Sequence, residues 1–123
     1  MRILLIDDDQ LMTRMYERKF KFEGDDIVTI DDGSMALDLL KKDGNFDVIL
    51  LDIMMPEMNG FEFMEELNKD AGLKHIPIIL LTNLVGSDED ERRGMDLGAK
   101  AYLVKSRMQP NEIVDAIRKY AAK

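Results

Sequence analysis

Short apolar runs alternate along the chain with longer stretches in which apolar residues recur every three or four positions. The runs are RILLI (2–6), DIVTI (26–30), DVILL (47–51), IPIILL (76–81) and AYLV (101–104). Runs this short and continuous predict strands buried on both faces, as in a parallel sheet. Between them, helical spacing places Leu11, Met12, Met15, Tyr16 and Phe20 in 10–22, and Met35, Leu37, Leu39 and Leu40 in 34–42. It places Phe61, Phe63, Met64 and Leu67 in 60–69. Residues 110–121 carry Ile113, Val114 and Ile117 behind Pro110, which suits a first helical position. The stretch 87–97 predicts a weaker, charged helix opening on Ser87, Asp88, Glu89 and Asp90, acids that favour a helix N-terminus. The order is β-α five times over, with connections of a few residues. Parallel strands need right-handed crossovers, so the pattern predicts an α/β fold, a three-layer α/β/α sandwich.

Composition narrows the function classes. The 123 residues predict one domain, 1–123, with no linker, repeat or output domain, large enough to bury a core without staples. Lys and Arg number 17 against 25 Asp and Glu, a formal charge of −8. That balance argues against coating nucleic acid, which needs a basic face. No stretch approaches the roughly 18–20 apolar residues of a membrane span, and the opening MRILLIDDD is too short and acidic for a secretory signal. The absence of cysteine excludes a disulfide framework or a cysteine-bound metal and suits a cytoplasmic location. Ten methionines read mostly as core filler, apart from those in the loop near Asp52.

Ligands of open parallel sheets bind beyond the carboxyl ends of the strands. Those ends carry Asp7, Asp8 and Asp9 after the first run, Asp52 and IMMPEMNG after the third, Thr82 and Asn83 after the fourth, and Lys105 after the fifth. A nucleotide-binding turn would need glycine here; three acids would repel phosphate. Carboxylates instead suit a hard divalent cation such as Mg²⁺. With that cation bound, Asp52 becomes a usable nucleophile toward a phosphoryl group, whose oxygens Lys105 and Thr82 are suited to hold. Asp9 reads as a helix cap. His75, in the loop before the fourth strand, reads as solvated.

ILLIDDD, DVILLDIMMPEMNGFEFMEEL, IPIILLTN and GAKAYLVK, in this order and at these spacings, resemble the receiver domain of two-component response regulators, the CheY-like family. The resemblance covers essentially the whole chain. It implies a doubly wound five-stranded sheet of order 2-1-3-4-5. It implies Asp52 as phosphoacceptor, and Asp8 and Asp52 directly on Mg²⁺ (or Mn²⁺), with Asp7 through water and the Met54 backbone carbonyl as a further ligand. Thr82 would bind the phosphoryl group, Tyr102 would follow it inward, and Lys105 would pair with the phosphoryl group. Pro56 and Gly60 would shape the loop after Asp52, and Gly98 the turn before the fifth strand. The implied partners are a histidine kinase or histidine phosphotransfer protein and a downstream output protein bound at the helix 4–strand 5–helix 5 face. The chain itself would be a monomer or weak dimer, and no enzyme beyond its own phosphorylation and dephosphorylation.

The chain departs from the family pattern in places. Ser106 follows Lys105 where proline in a cis peptide is common, and a cis bond to a non-proline residue costs about 2.5–4 kcal/mol. A trans Lys105–Ser106 bond and a rearranged loop to Pro110 are therefore expected. Asn83 replaces a small residue, and its bulk could hinder the phosphoryl pocket or its amide add a hydrogen bond. Asp25 stands where an aromatic often follows Gly24, a structural difference. Met54 and Leu84 are apolar at positions that tune phosphoryl loss, so a long-lived phospho-form is expected. Two other readings remain open: a pseudo-receiver that binds partners without phosphorylation, and a haloacid-dehalogenase-type phosphatase. For the latter, Met54 fills the place of the second acid and a cap domain is missing.

Overall fold

The computed structural model describes residues 1–83 and 88–121. Five strands, β1 (Arg2–Ile6), β2 (Asp26–Ile30), β3 (Val48–Leu51), β4 (Ile78–Thr82) and β5 (Ala101–Val104), alternate with α1 (Gln10–Phe22), α2 (Gly33–Lys42), α3 (Gly60–Asn68), α4 (Asp88–Asp96) and α5 (Pro110–Tyr120). All pairings are parallel, in the order β2-β1-β3-β4-β5. The predicted α/β sandwich and the strand order implied by the resemblance both hold.

The two-residue period of the strands divides the core. Leu4, Ile6, Ile49, Leu51, Ile78 and Leu80 point to one side and pack with Leu37, Leu40, Phe61, Phe63 and Met64 of α2 and α3. Ile3, Leu5, Val48, Leu50, Ile79 and Leu81 point to the other, against Tyr16 and Phe20 of α1 and Ile113, Val114 and Ile117 of α5. Central strands buried on both sides explain why their sequences are apolar without alternation. α4 is different: Gly94 is its only buried residue among those described. A Cβ at Gly94 would lie 2.3 Å from Leu80 Cδ1, so the helix approaches β4 through its backbone. Arg93 adds a further anchor, its guanidinium 4.5 Å over the Phe61 ring and 3.3 Å from Glu65.

Several expected boundaries move. β4 starts at Ile78, not at residue 76, because Pro77 has no N–H to give the ladder; its carbonyl accepts from Ile49 (2.9 Å). β3 starts at Val48, since the Asp47 carboxylate turns back to accept the Arg2 N–H (2.7 Å). The links 52–59 and 69–77 are longer than the short connections expected. Ser87, read as opening the fourth helix, lies outside the described residues. The methionines are less internal than their number suggests: Met55 and Met64 are buried, whereas Met15, Met35, Met54 and Met95 are exposed. Thioethers tolerate solvent well enough that composition alone cannot place them. Among the described residues no helix is long and apolar enough to cross a membrane.

Candidate functional site

Strand register decides which side chains meet at the carboxyl edge. Ile6 lies beside Leu51, so the residues that follow, Asp7 and Asp52, leave adjacent strands together. The ladder runs one step further: the Asp52 N–H donates to the Ile6 carbonyl (2.9 Å) and the Asp7 N–H to the Ile30 carbonyl (3.0 Å). Thr82 ends the neighbouring β4 fully buried, and Lys105 follows β5, also buried.

Carboxylate oxygens of Asp7, Asp8 and Asp52 all lie within 4.8 Å of one another, with Asp7 and Asp52 buried and Asp8 exposed. Asp7 spends both oxygens locally. One accepts the Asp9 N–H (2.9 Å), and the other is ion-paired with the Lys105 ammonium. Asp9 caps α1 as expected, its carboxylate accepting the Met12 N–H (3.2 Å). Asp52 has no such direct counter-ion among the described residues. Burial pushes its carboxyl up to about 6; Lys105 pulls it down, the charge and hydrogen bond of Asp7 push it up, and a backbone hydrogen bond at Met54 pulls it down. An all-oxygen donor set of three acids fits a hard divalent cation such as Mg²⁺ or Mn²⁺, which would offset this crowding of charge.

A cleft of about 260 Å³ opens above Asp52, lined by Asp8, Asp9, Asp52, Met54, Thr82 and Asn83. The loop beneath it is shaped by Gly60. A Cβ there would lie 2.6 Å from the Asp52 carbonyl oxygen and 2.9 Å from Ile53 Cα, so only glycine lets α3 start against the strand tip. Pro56 accepts the Met58 N–H (2.7 Å) around Glu57, whose φ of 66° makes a tight γ-type turn. Gly98, at φ 108°, turns the chain into β5.

The other expected residues fall as follows. Asn83 is exposed and lines the cleft. Tyr102 does not enter it. It is half-buried beside α4, in a separate cleft of about 310 Å³ with Asp88, Glu91 and Arg107. Its hydroxyl is buried without a hydrogen-bond partner among the described residues, and burial, then Asp90 and Glu91, raise its pKa. The Lys105–Ser106 bond is trans, and the loop to Pro110 starts as a 3₁₀ turn over Lys105–Arg107. Leu84 lies outside the described residues, and His75 is exposed. Sequence reasoning missed Tyr16 as a neighbour of the site: it reads as part of an apolar stripe, yet its phenol is pushed up to about 12 by burial, then by Asp7 and Asp9.

The chain matches the response regulator receiver domain family over residues 3–118 and belongs to it. It is 38% identical over 117 residues to the transcriptional regulatory protein CpxR of Escherichia coli K12, covering 95% of this chain and 47% of that protein. It is 34% identical over 117 residues to a gliding motility regulatory protein of Myxococcus xanthus, covering 95% of this chain and 15% of that one. The chain thus spans half or less of the length of these curated relatives. Among solved structures, chemotaxis protein CheY4 of Vibrio cholerae superposes with a TM-score of 0.88 at 31% identity, covering 97% of each chain. The Mn²⁺-bound form of response regulator Rcp1 gives 0.80 at 27% identity, covering 96% of this chain and 91% of that one. These likenesses make the chain a receiver domain of the two-component signalling type.

Proposed function

We propose that this domain is a phosphorylation switch in which Asp52 accepts a phosphoryl group from the phosphohistidine of a histidine kinase or phosphotransfer protein. The observation that carries the reading is Asp52 itself, a buried acid at a strand tip, crowded by Asp7 and Asp8 and facing an open cleft. In the transfer, an Asp52 carboxylate oxygen forms the new bond to phosphorus, the P–N bond breaks, and the imidazole leaves with its electron pair and is protonated. Asp7, Asp8 and Asp52, with the Met54 carbonyl, would hold Mg²⁺ or Mn²⁺. When bound, the cation offsets charge on the phosphoryl oxygens. Lys105, already on Asp7, lies within reach of the same edge, and the Thr82 hydroxyl binds a further oxygen. Tyr102 then moves inward and the α4–β5–α5 face changes its population of states, which a downstream protein reads. No further catalysis is assigned to the domain, and it acts in the cytoplasm.

Intact mass after incubation with Mg²⁺ and acetyl phosphate tests this. One added phosphoryl group, absent in Asp52→Asn, supports it. No gain favours a partner-binding module without phosphorylation, and sustained phosphate release from many substrates favours a phosphatase.

A further inference from the structure

α4 meets the rest of the domain unequally on its two sides. Toward α3 it is tied. The Arg93 guanidinium stacks on the Phe61 ring and reaches Glu65, and the Asn68 side chain donates to the Leu97 carbonyl just beyond α4 (2.8 Å). Phe61, Glu65 and Asn68 stand at i, i+4 and i+7, along one face of α3. Toward β5 the helix stands off. Clefts of about 310 and 540 Å³ open between the two, both lined by Asp88 and Glu91 of α4 and by Tyr102 and Leu103 of β5. The helix is also poorly able to hold itself. Nine residues are fewer than an isolated helix needs, and a glycine weakens its interior. Its sequence, DEDERRGMD, carries no apolar stripe, and Met95 is 45% exposed. Its order therefore depends on its seat. Phe61 supplies that seat twice, under the Arg93 guanidinium and beside Gly94, where a Cβ would lie 3.8 Å from Phe61 Cε1.

We propose that α4 is a separately opening unit of the native fold, hinged on α3, and that Arg93 is the positioning residue that keeps it docked. The clasp is the stack on Phe61 rather than the ion pair with Glu65. The Phe61 ring is buried and fixed, whereas the Arg93 and Glu65 side chains are about half exposed and their attraction is screened. Opening takes one helix away from the α4–β5–α5 face while the sheet and the remaining helices stay in place. The fraction of molecules in which that face is complete is thereby set from α3. The inference concerns the unmodified chain, so it does not depend on Asp52 accepting a phosphoryl group.

Native-state amide hydrogen exchange of the whole chain, read by NMR in low urea, tests this. Amides of α4 should exchange faster than those of β1 and β3 and with little dependence on urea, as local opening exposes little surface. Arg93→Gln should speed α4 exchange by about two- to fivefold, the worth of a part-exposed stack of cation on ring. Asn68→Ala should act in the same direction. Arg92→Gln removes the same charge from the same helix, at a residue lining the wider cleft toward β5, and should leave α4 at the wild-type rate. Glu65→Gln should change it less than Arg93→Gln does. Exchange of α4 together with β1 and β3, with the same urea dependence, would overturn the proposal, because α4 would then open only when the whole domain does. Arg93→Gln at the wild-type rate, or Arg92→Gln matching it, would overturn the role of Arg93. Glu65→Gln matching Arg93→Gln would overturn the ring as the clasp.

Discussion

Two aspartates are buried at opposite ends of the sheet, Asp25 at 8% exposure and Asp52 at 7%, and their surroundings differ. Asp25, just before β2, is held by cations. It accepts the Met1 ammonium at 3.0 Å and both terminal nitrogens of the Arg118 guanidinium, at 2.8 and 3.4 Å. Asp52, just after β3, sits among other acids, and the nearest ammonium is bound to Asp7. Burial of a charge is tolerated where partners satisfy it and resisted where they do not. At Asp25 the fold supplies the compensation and ties β2 to α5. At Asp52 compensation is left incomplete, so an external cation and a phosphoryl group have something to offer.

The difference is measurable as opposite signs of mutational effect. Asp25→Asn leaves Arg118 and the chain terminus facing a neutral amide, and should lower stability to urea by about 2–4 kcal/mol. Little or no loss would mean that the cations are satisfied by solvent and the contrast is unfounded. Asp52→Asn should act the other way in chelator at pH 7.5, raising stability by about 1–2 kcal/mol after allowance for solvent screening. The sign follows from a folded-state pKa of about 6 against an ordinary 3.8. The folded chain binds the Asp52 proton more tightly, so this contribution is fully present below about pH 4 and is lost as pH rises through about 6. The advantage of Asp52→Asn should accordingly vanish near pH 4, and saturating Mg²⁺ should erase it at pH 7.5. An advantage that persists at pH 4 would assign the effect to packing. Asp8→Asn, at an exposed member of the cluster, should give a smaller gain in chelator, below about 1 kcal/mol, read as a slight rise in Tm. A lowered Tm would mean that Asp8 does not repel its neighbours.

Much of this was legible in the residues. The continuous apolar runs of β1, β3 and β4 follow from burial on both faces, and five β-α repeats leave few topologies. The strand order did not come from periodicity; it came through the resemblance. Helix faces were blurred, because Leu11, Met15 and Met35 satisfy helical spacing but lie 80%, 39% and 59% exposed. Spacing says which residues share a side of a helix and does not say how wide the buried stripe is. α4 read weakly because its contact with the sheet is a glycine, which leaves no apolar trace. At the site, which acids gather was readable from the strand tips. Which acid takes Lys105 was not, because that depends on register and on the path of the 3₁₀ turn. Asp25 was read as a structural departure, and its pairing across to α5 explains why an acid is tolerated there.

The most direct test is to find where the phosphoryl group goes. The chain would be treated with acetyl phosphate and Mg²⁺, reduced with borohydride so that an aspartyl phosphate becomes homoserine, digested, and mapped by mass spectrometry. Homoserine at residue 52 alone, dependent on Mg²⁺, is the expected result. Homoserine at Asp8 or another acid, or none at residue 52 under conditions that label a known receiver domain, would contradict the assignment of the cation-poor aspartate as the phosphoacceptor.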